Sequence, residues 1–338
     1  MVKFFKDLSQ VLKNEEEKFL QKLEAIKELK KLREDLLRKN LLSQVEINND
    51  VYSLVGIDGT AKKEKNILGI VEYKALAVAY FVSNFYIIPF YGELTENILP
   101  TFIWEESLDE SDPLLSGILS GLEIGLLGDT AGLFNYAMLD GSLFSALIAL
   151  RKGFLACKHI GGQVEKKISE LIKSAIEKFL KGSRHGKIIA CPKRAKGGEL
   201  VEYLRSKLGP RQELNYGDYI IVYGAFEPGD YIEVPNPLKL KEKEFNLLIQ
   251  VFLKTGLPIS QELIDYLKTF RLFYMKGLGG GVHRFEVFGG YALPAEIVGV
   301  QSIAKGNNMQ IIVNAESIAK NLMTTYFPQT SLIESYRG

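Results

Sequence analysis

Two apolar segments of the chain end in the same dipeptide, Asp-Gly. Residues 51–57 (VYSLVGI) precede Asp58, residues 133–139 (LFNYAML) precede Asp140, and a glycine follows each acid. Short apolar runs that are rich in β-branched and aromatic residues and bounded by turn residues are typical of buried strands. The sequence therefore predicts two buried strands, each with an acidic residue where it ends.

Helical and strand patterns alternate along the rest of the chain. Residues 1–42 contain no Gly or Pro, and an apolar stripe at helical spacing runs through Phe19, Leu23, Ile26, then Leu29 or Leu32, and Leu36. This predicts a long amphipathic helix or helix pair whose apolar face needs a partner surface, and we expect that face to contribute to a dimer. Further strands are predicted at 67–73, 75–82, 187–191, 218–223, 271–276 and 282–288, and helices at 113–128, 142–157, 168–179, 198–207, 243–270 and 315–325. The alternation predicts a mixed α/β chain with helices around central strands, and no linker divides it.

One uncharged stretch is long enough to suggest a membrane span. Residues 75–92 carry no charge over 18 residues, but Ser83, Asn84 and Pro89 interrupt the stretch and β-branched and aromatic residues crowd it. Two buried strands joined at Ser83-Asn84 explain this composition better than a transmembrane helix.

The N-terminal residues and the cysteines bear on the location of the protein. The N-terminus has no long apolar run and no small-residue cleavage site, so it does not resemble a signal peptide. Two cysteines, Cys157 and Cys191, are too few for a disulfide framework, which suits a reducing cytosol. We therefore predict a cytoplasmic protein without a membrane partner.

A third acid, Glu123, joins the two Asp-Gly aspartates as a candidate site residue. It is the only charged residue between Asp112 and Asp129. An ionised carboxylate in apolar surroundings is costly unless it is paired or binds a cation. Asp58, Glu123 and Asp140 could meet at one edge of the sheet, where they would suit Mg²⁺ or Mn²⁺.

Two such ions can activate a water molecule and stabilise the leaving oxygen in phosphodiester hydrolysis. The alternative interpretation is that each Asp-Gly simply forms a turn after a strand.

A local basic segment could contact nucleic acid. The net charge of the chain is only +1, so binding to nucleic acid would require a local patch. Residues 178–196 hold seven Lys or Arg and no acid, and Lys193, Arg194 and Lys196 follow a predicted strand directly. These three side chains could contact a phosphate backbone, or they could belong to a solvated surface loop.

Several common catalytic motifs are absent from the sequence. It has no Walker loop, no G-x-S-x-G, no H-E-x-x-H and no C-x-x-C. The glycine run at 277–281 lacks a following Lys-Ser/Thr and is predicted to form a hairpin turn. The three histidines are scattered, and only His283 lies beside charged residues, Arg284 and Glu286, on a predicted strand.

An ordered set of short motifs resembles the NurA nuclease family of archaea and some bacteria. The motifs are V-G-I-D-G-T at 55–60, G-L-E-I-G at 121–125, M-L-D-G-S-L at 138–143, C-P-K-R-A-K at 191–196, H-R-F-E-V at 283–287 and G-Y-A-L-P at 290–294. The resemblance covers most of the chain from about residue 50 to residue 325, and D-G-S-L is its most specific element.

The resemblance implies a fold, a set of partners and a domain division. It implies an RNase H-like mixed sheet core flanked by helices in a nuclease domain at 50–325, between an N-terminal helical region at 1–49 and a tail at 326–338. It also implies a homodimer that binds DNA and a HerA-type hexameric helicase in the repair of double-strand breaks.

The resemblance also implies an activity and a site. The activity is a 5′-to-3′ exonuclease that hydrolyses single- and double-stranded DNA and uses Mn²⁺, or Mg²⁺, as two ions. Carried over by motif, Asp58, Glu123 and Asp140 would be the metal ligands, and Tyr291 would lie at the edge of the site.

The sequence departs from the family pattern after Tyr291. The family has a His shortly after its Tyr-Pro segment, whereas here Ala292 follows the tyrosine and residues 295–301 contain no His. His283 and Gln301 are candidates for the missing group. A catalytically weak or inactive DNA-binding or helicase-adaptor subunit with the same fold is therefore an open alternative, and an unrelated α/β enzyme is a third.

Overall fold

The computed structural model describes residues 28–45, 53–65, 71–81, 84–90, 104–184, 186–192, 198–235, 237–240, 242–257, 260–277, 279–289 and 309–326. These residues form two units, and each unit is assembled from separate stretches of sequence. The core unit comprises Ile47–Lys193, Lys241–Arg271 and Phe285–Gly338, and the second unit comprises Met1–Glu46, Arg194–Leu240 and Leu272–Arg284.

The elements follow one another in a mixed order. The strands are β1 (Ser43–Gln44), β2 (Leu54–Lys65), β3 (Val71–Phe81), β4 (Asn84–Phe90), β5 (Tyr136–Asp140), β6 (Lys187–Cys191), β7 (Asp230–Val234), β8 (Arg271–Lys276) and β9 (Val282–Phe288). The helices are α1 (28–38), α2 (Trp104–Ala131), α3 (Leu143–Ile160), α4 (Gly162–Ser183), α5 (Glu199–Leu208), α6 (Asp218–Ala225), α7 (Pro237–Leu240), α8 (Glu242–Leu253), α9 (Gln261–Lys268) and α10 (Met309–Tyr326).

The sheet of the core unit has the strand order β4-β3-β2-β5-β6-β9. The first three strands form an antiparallel meander, β5 and β6 lie parallel to β2 on its other side, and the end of β9 runs antiparallel to β6. Long helical crossovers connect β4 to β5 and β5 to β6, as parallel strands require. In an RNase H-like sheet, the first strand of a three-stranded antiparallel meander has two further strands parallel to it on its other side. This sheet has that order, so the predicted fold class is confirmed.

Helices cover both faces of this sheet. Val78 of β3 shares a buried cluster with Ala319 of α10. Val78 pairs with Asp58 of β2. A side chain at the next residue, Gly59, would instead contact Leu119 of α2. Because successive strand residues point to opposite faces, α2 packs on one face and α10 on the other.

Glycines allow the helices on the α2 side to approach closely. A Cβ atom at Gly117 of α2 would lie 2.5 Å from the Cα atom of Gly153 in α3. Gly128 of α2 and Gly182 of α4 make a second close backbone contact. The carbonyl oxygen of Gly128 occupies the space that a Cβ atom at Gly182 would need. Helix α2 therefore packs directly against two neighbouring helices at these glycines.

The apolar stretch at 75–92 and a segment of α2 bear on the question of a membrane. Strands β3 and β4 pair antiparallel, with Phe81 opposite Asn84, which confirms the predicted strand pair. Among the described residues, Pro113–Ala131 is the one helical segment long and apolar enough to cross a membrane, and 78% of that window is buried inside the protein. A core helix of a soluble domain has the same properties, so this segment is weak support for a span.

The second unit contains α1 and an antiparallel ribbon, β1-β7-β8. Leu29, Leu32 and Leu36 of α1 are fully buried, so this part of the predicted apolar stripe packs inside the protein. Arg33 on the same helix forms ion pairs with Asp230 at 2.7 Å and with Glu227. Phe19, Leu23 and Ile26 lie outside the described residues, and their role in a dimer stays a prediction.

Residues 218–223 form part of a helix, α6, and their prediction as a strand is wrong. A short apolar run cannot be assigned to helix or strand by periodicity alone. Here the contacts of Asp218 decide, because its carboxylate accepts hydrogen bonds from the backbone N–H of Val201 and the hydroxyl of Tyr274. Ile221, Val222 and Ala225 of the helix are then buried on one side.

The strands predicted at 67–73 and 75–82 are not separate, because β3 runs without a break from Val71 to Phe81, and residues 67–70 lie outside the described residues. The other predicted elements differ mainly in their ends. The predicted helix at 243–270 is two helices, α8 and α9, separated by a turn at 254–256. The glycine run forms the predicted turn, with the N–H of Gly277 donating to the carbonyl oxygen of Gly281. The predictions for 187–191, 271–276 and 282–288 coincide with β6, β8 and β9.

Candidate active site

Asp58 and Asp140 lie at the same level of two adjacent strands. Ile57 of β2 pairs with Leu139 of β5 in parallel register, and the two aspartates come next along each strand. Neighbouring strands are about 4.8 Å apart, and residues at matching positions point to the same face. Asp58 is 5% exposed, and its Oδ1 accepts a hydrogen bond of 2.8 Å from the N–H of Gly59.

Asp58 does not end its strand, contrary to the sequence prediction. Strand β2 continues to Lys65 because β3 pairs with it over the whole length, from Val55 to Lys65. Strands β5 and β6 do stop level with the site, at Asp140 and Cys191. Among the described residues, no strand continues beside β2 beyond this level on that side, so a notch opens in the sheet next to Asp58.

Glu123 of α2 reaches β2 at this notch. Its Oε1 atom lies 2.9 Å from the position that a Cβ atom of Gly59 would occupy. Gly59 thus leaves space for the carboxyl group of Glu123 directly beside the backbone of the residue that follows Asp58. Because Asp58 pairs with Val78 and shares its face, Glu123 approaches from the opposite face of the sheet.

Of the three predicted carboxylates, Asp58 and Asp140 lie on one face of the sheet and Glu123 lies beside Gly59 on the other. Within the part of the chain that the structure describes, no three Asp, Glu, His or Cys side chains are grouped tightly enough to hold an ion. The carboxyl groups of Asp58 and Asp140 share a face, and that of Glu123 would have to reach across the notch to join them.

A fourth carboxylate, that of Glu286, lies on β9 near the level of Asp140, with β6 between the two strands, and the sequence does not predict it as a site residue. Glu286 pairs with Ala190 across β9 and β6, and it is 1% exposed. Its Oε2 accepts a 2.8 Å hydrogen bond from the hydroxyl of Ser142. The only sequence signal for this residue is the H-R-F-E-V motif.

The charges of Asp140 and Glu286 also affect the thiol of Cys191. Burial raises the pKa of Cys191 well above its ordinary value, and the nearby negative charges of Asp140 and Glu286 raise it further. The thiol is therefore protonated at physiological pH in the chain without bound metal.

Ser142 connects the turn after Asp140 to Glu286. Ser142 is the N-cap residue of α3, where a serine side chain ordinarily accepts a bond from the helix backbone, yet it makes no capping hydrogen bond. Its hydroxyl bonds to Glu286 instead. The N–H of Gly141, a residue with φ of 88°, donates to the carbonyl oxygen of Cys191. These two bonds fix the position from which the carboxylate of Asp140 projects.

His283 packs on the glycine turn of the second unit. Its Nε2 atom lies 2.7 Å from the position of a Cβ atom on Gly277, and its ring also adjoins Gly281. Burial lowers the pKa of His283, which favours a neutral imidazole.

Five residues named from the sequence lie outside the described residues: Tyr291, Gln301, Lys193, Arg194 and Lys196.

Comparison with known proteins gives similarity to solved structures only. The chain matches no family model and no curated protein. It is similar to the NurA nuclease of Sulfolobus solfataricus, with 16% identity, a TM-score of 0.48, and coverage of 89% of this chain and 91% of that one. The similarity extends over about nine-tenths of this chain and concerns the fold alone.

Two further NurA structures have similar values. One, bound to dAMP and manganese, has 12% identity and a TM-score of 0.47, with coverage of 88% of this chain and 92% of that chain. Another, with manganese, has 11% identity and a TM-score of 0.48, with coverage of 92% and 95%. Similarity at this level does not by itself assign an activity or the role of any residue.

Proposed function

We propose that this chain is a metal-dependent deoxyribonuclease that degrades single- and double-stranded DNA from its ends in the 5′-to-3′ direction. The observation that carries the proposal is the position of Asp58 and Asp140, level with each other on adjacent parallel strands beside an opening in the sheet. The D-G-S-L motif and its ordered companions support it from the sequence.

The residues around the notch fit a divalent metal. Carboxylate oxygens are the ligands that Mn²⁺ and Mg²⁺ prefer, and the acids of β2 and β5 share one face of the sheet here, while the acid of α2 lies beside the next residue of β2. Bound Mn²⁺, as two ions, would supply an activated water and neutralise charge on the scissile phosphate. Asp58 and Asp140 would hold the metal from one face, and Glu123 would reach it through the notch.

Glu286 and Ser142 act as positioning residues in this proposal. The hydroxyl of Ser142 joins the Asp140 turn to the buried carboxylate of Glu286, and groups that orient metal ligands are worth about 10- to 100-fold in metal affinity. We expect Ser142→Ala and Glu286→Gln to weaken Mn²⁺ binding by a factor of about 10 to 100, measured by titration calorimetry.

The matched control for this prediction is Ser183→Ala. The hydroxyl of Ser183 also donates one hydrogen bond, but to the carbonyl oxygen of Leu180 within its own helix, α4. It should leave Mn²⁺ affinity unchanged. If Ser142→Ala behaves like this control while the protein stays folded by circular dichroism, the positioning role is wrong.

Lys193, Arg194 and Lys196 are proposed to contact the DNA backbone, on the sequence alone. Replacing all three with Ala should weaken DNA binding and reduce the slope of log affinity against log salt, by about 0.9 for each phosphate of duplex DNA that these side chains neutralise. Fluorescence anisotropy at several salt concentrations measures both quantities. An unchanged slope would mean that the segment is a solvated loop.

The remaining proposals concern partners and location. We propose a cytoplasmic homodimer that acts with a HerA-type hexameric helicase in the processing of double-strand breaks. The support is the resemblance of the motifs and the apolar stripe of residues 1–42. A monomer in sedimentation at micromolar concentration would count against the dimer.

The rival function is a DNA-binding or helicase-adaptor subunit without strong catalysis, which the missing histidine after Tyr291 favours. Digestion of DNA labelled at either end, with Mn²⁺ and with EDTA, separates the two. A nuclease releases the 5′ label first and only when metal is present. A chain that binds DNA and Mn²⁺ but releases neither label is the adaptor.

A further inference from the structure

Two tyrosine rings of the second unit are held against each other at the protein surface. Tyr219 and Tyr223 of α6 are 51% and 48% exposed, and their rings stack with an interplanar angle of 6° and centroids 6.2 Å apart. Within the described residues, they are the only aromatic side chains among the large exposed hydrophobic ones. Mutual contact stabilises a helix slightly, but it does not require that half of each ring remain in solvent.

The helix that carries the two rings is anchored on its other side. Asp218, which begins α6, is 1% exposed and accepts hydrogen bonds from the N–H of Val201 at 3.1 Å and the hydroxyl of Tyr274 at 2.6 Å. The buried Ile221 and Val222 fix the inner face of α6. The tyrosine face is therefore a rigid surface directed to solvent.

A positive charge is fixed beside this surface. The ammonium group of Lys276 donates to the carbonyl oxygens of Tyr223 at 2.7 Å and Phe226 at 2.8 Å. It lies 5.2 Å from the centroid of the Tyr223 ring. The ammonium group of Lys276 and the two aromatic rings are therefore neighbours on this surface.

A cavity of about 800 Å³ adjoins Tyr223 and Lys276 within the second unit. Lys30, Arg33 and Glu34 of α1 also line it. Arg33 forms ion pairs with Glu227, which also lines the cavity, and with Asp230. The volume is in the range of about 300–1,000 Å³ that holds small ligands, and the three cations and two carboxylates that line the cavity carry a net charge of +1.

We propose that the Tyr219–Tyr223 pair and the adjoining cavity bind unpaired nucleobases of single-stranded DNA, with Lys30 and Lys276 beside the phosphates. Flat aromatic faces beside cations are the means by which proteins hold single strands without reading their sequence. The proposal names DNA as the ligand because it rests on the proposed nuclease function, and it adds a strand-holding site to the carboxylate site.

Binding of a labelled oligothymidylate to the full chain, followed by anisotropy in EDTA, tests this site without cleavage. The Tyr219→Ala/Tyr223→Ala variant should bind more weakly, by about 5- to 100-fold for each base that stacks. The Tyr219→Phe/Tyr223→Phe variant should bind like the wild type because Phe keeps the stacking face. Leu253→Ala, which removes another exposed apolar side chain, is the control for general surface effects.

An oligonucleotide with abasic residues provides the decisive comparison. It should bind the wild type more weakly than the intact strand, and the double Ala variant should weaken its binding no further. Equal binding of the intact strand by the wild type and the double Ala variant would overturn the proposal. The proposal would also be overturned if the double Ala variant lost as much affinity for the abasic strand as for the intact strand. If the double variant is unfolded by circular dichroism, Tyr219→Ala alone serves, because its ring is the more exposed.

The outcomes of this test and of the nuclease test are distinct. A chain that binds the strand through its tyrosines but cleaves nothing with Mn²⁺ contradicts the nuclease function only. A chain that cleaves DNA but binds the strand equally well without the two rings contradicts the stacking site only.

Discussion

Asp58→Asn and Asp140→Asn are each expected to lower Mn²⁺-dependent DNA cleavage by a factor of about a thousand or more, with the fold intact. A catalytic metal contributes several kcal/mol to the stabilisation of a transition state, and about 1.4 kcal/mol corresponds to each factor of ten. Asp58 and Asp140 lie at the same level and on the same face of the sheet, so each substitution removes one of the carboxylates proposed to bind the metal. Initial rates on labelled DNA measure the effect.

Two controls define the meaning of this result. Asp129→Asn makes the same chemical change in an exposed ion pair with Lys178 on the surface, and it should leave the rate unchanged. His283→Ala should cost far less than either aspartate variant, because its imidazole packs on the glycine turn at Gly277 and Gly281. Aspartate variants as active as the wild type would show that the carboxylates hold no catalytic metal.

Gly128→Ala is expected to lower the free energy of unfolding by about 3 kcal/mol or more, although it adds only one methyl group. The Cβ atom would fall on the backbone of Lys178 and Phe179 in α4, and backbone atoms cannot rotate away as a side chain can. Helices α2 and α4 would have to separate, and Gly128 would no longer touch Gly182. Urea unfolding at equilibrium measures the change.

Gly125→Ala is the matched control, one turn earlier on the same helix. Its Cβ atom would lie 3.7 Å from Ala175, an ordinary van der Waals distance. Because Ala is favoured over Gly in helices by about 1 kcal/mol, this variant should be as stable as the wild type or more stable. Equal destabilisation in the two variants would indicate that close packing of α2 on α4 is not what the glycine provides.

The sequence predicts the sheet well where strands are apolar and bounded by turn residues. Strand β6 and the hairpin strands β8 and β9 coincide with their predicted ranges. The failure at α6 has a physical cause, because the helix is selected by contacts of Asp218 with Val201 and Tyr274. Such contacts between distant segments override the β-branched composition of the run.

The candidate site could be predicted only where each residue has a local signal. Asp58 and Asp140 stand out because an acid and a glycine follow an apolar strand. Glu286 has no such signal, since its link to Ser142 joins residues separated by 144 positions. The role of Gly59 cannot be predicted from the sequence, because a glycine after an aspartate suggests a turn. In the folded chain this glycine lies within β2 and makes room for Glu123.

Anomalous diffraction at the manganese edge, from crystals of the chain soaked in Mn²⁺, would locate the metal itself. We expect a manganese peak at the notch, bound by carboxylate oxygens of Asp58 and Asp140, with the carboxyl group of Glu123 turned toward it. The peak should disappear in crystals of Asp58→Asn. A map without manganese at these two aspartates, or with a lysine or arginine side chain bound between them, would contradict the proposed metal site.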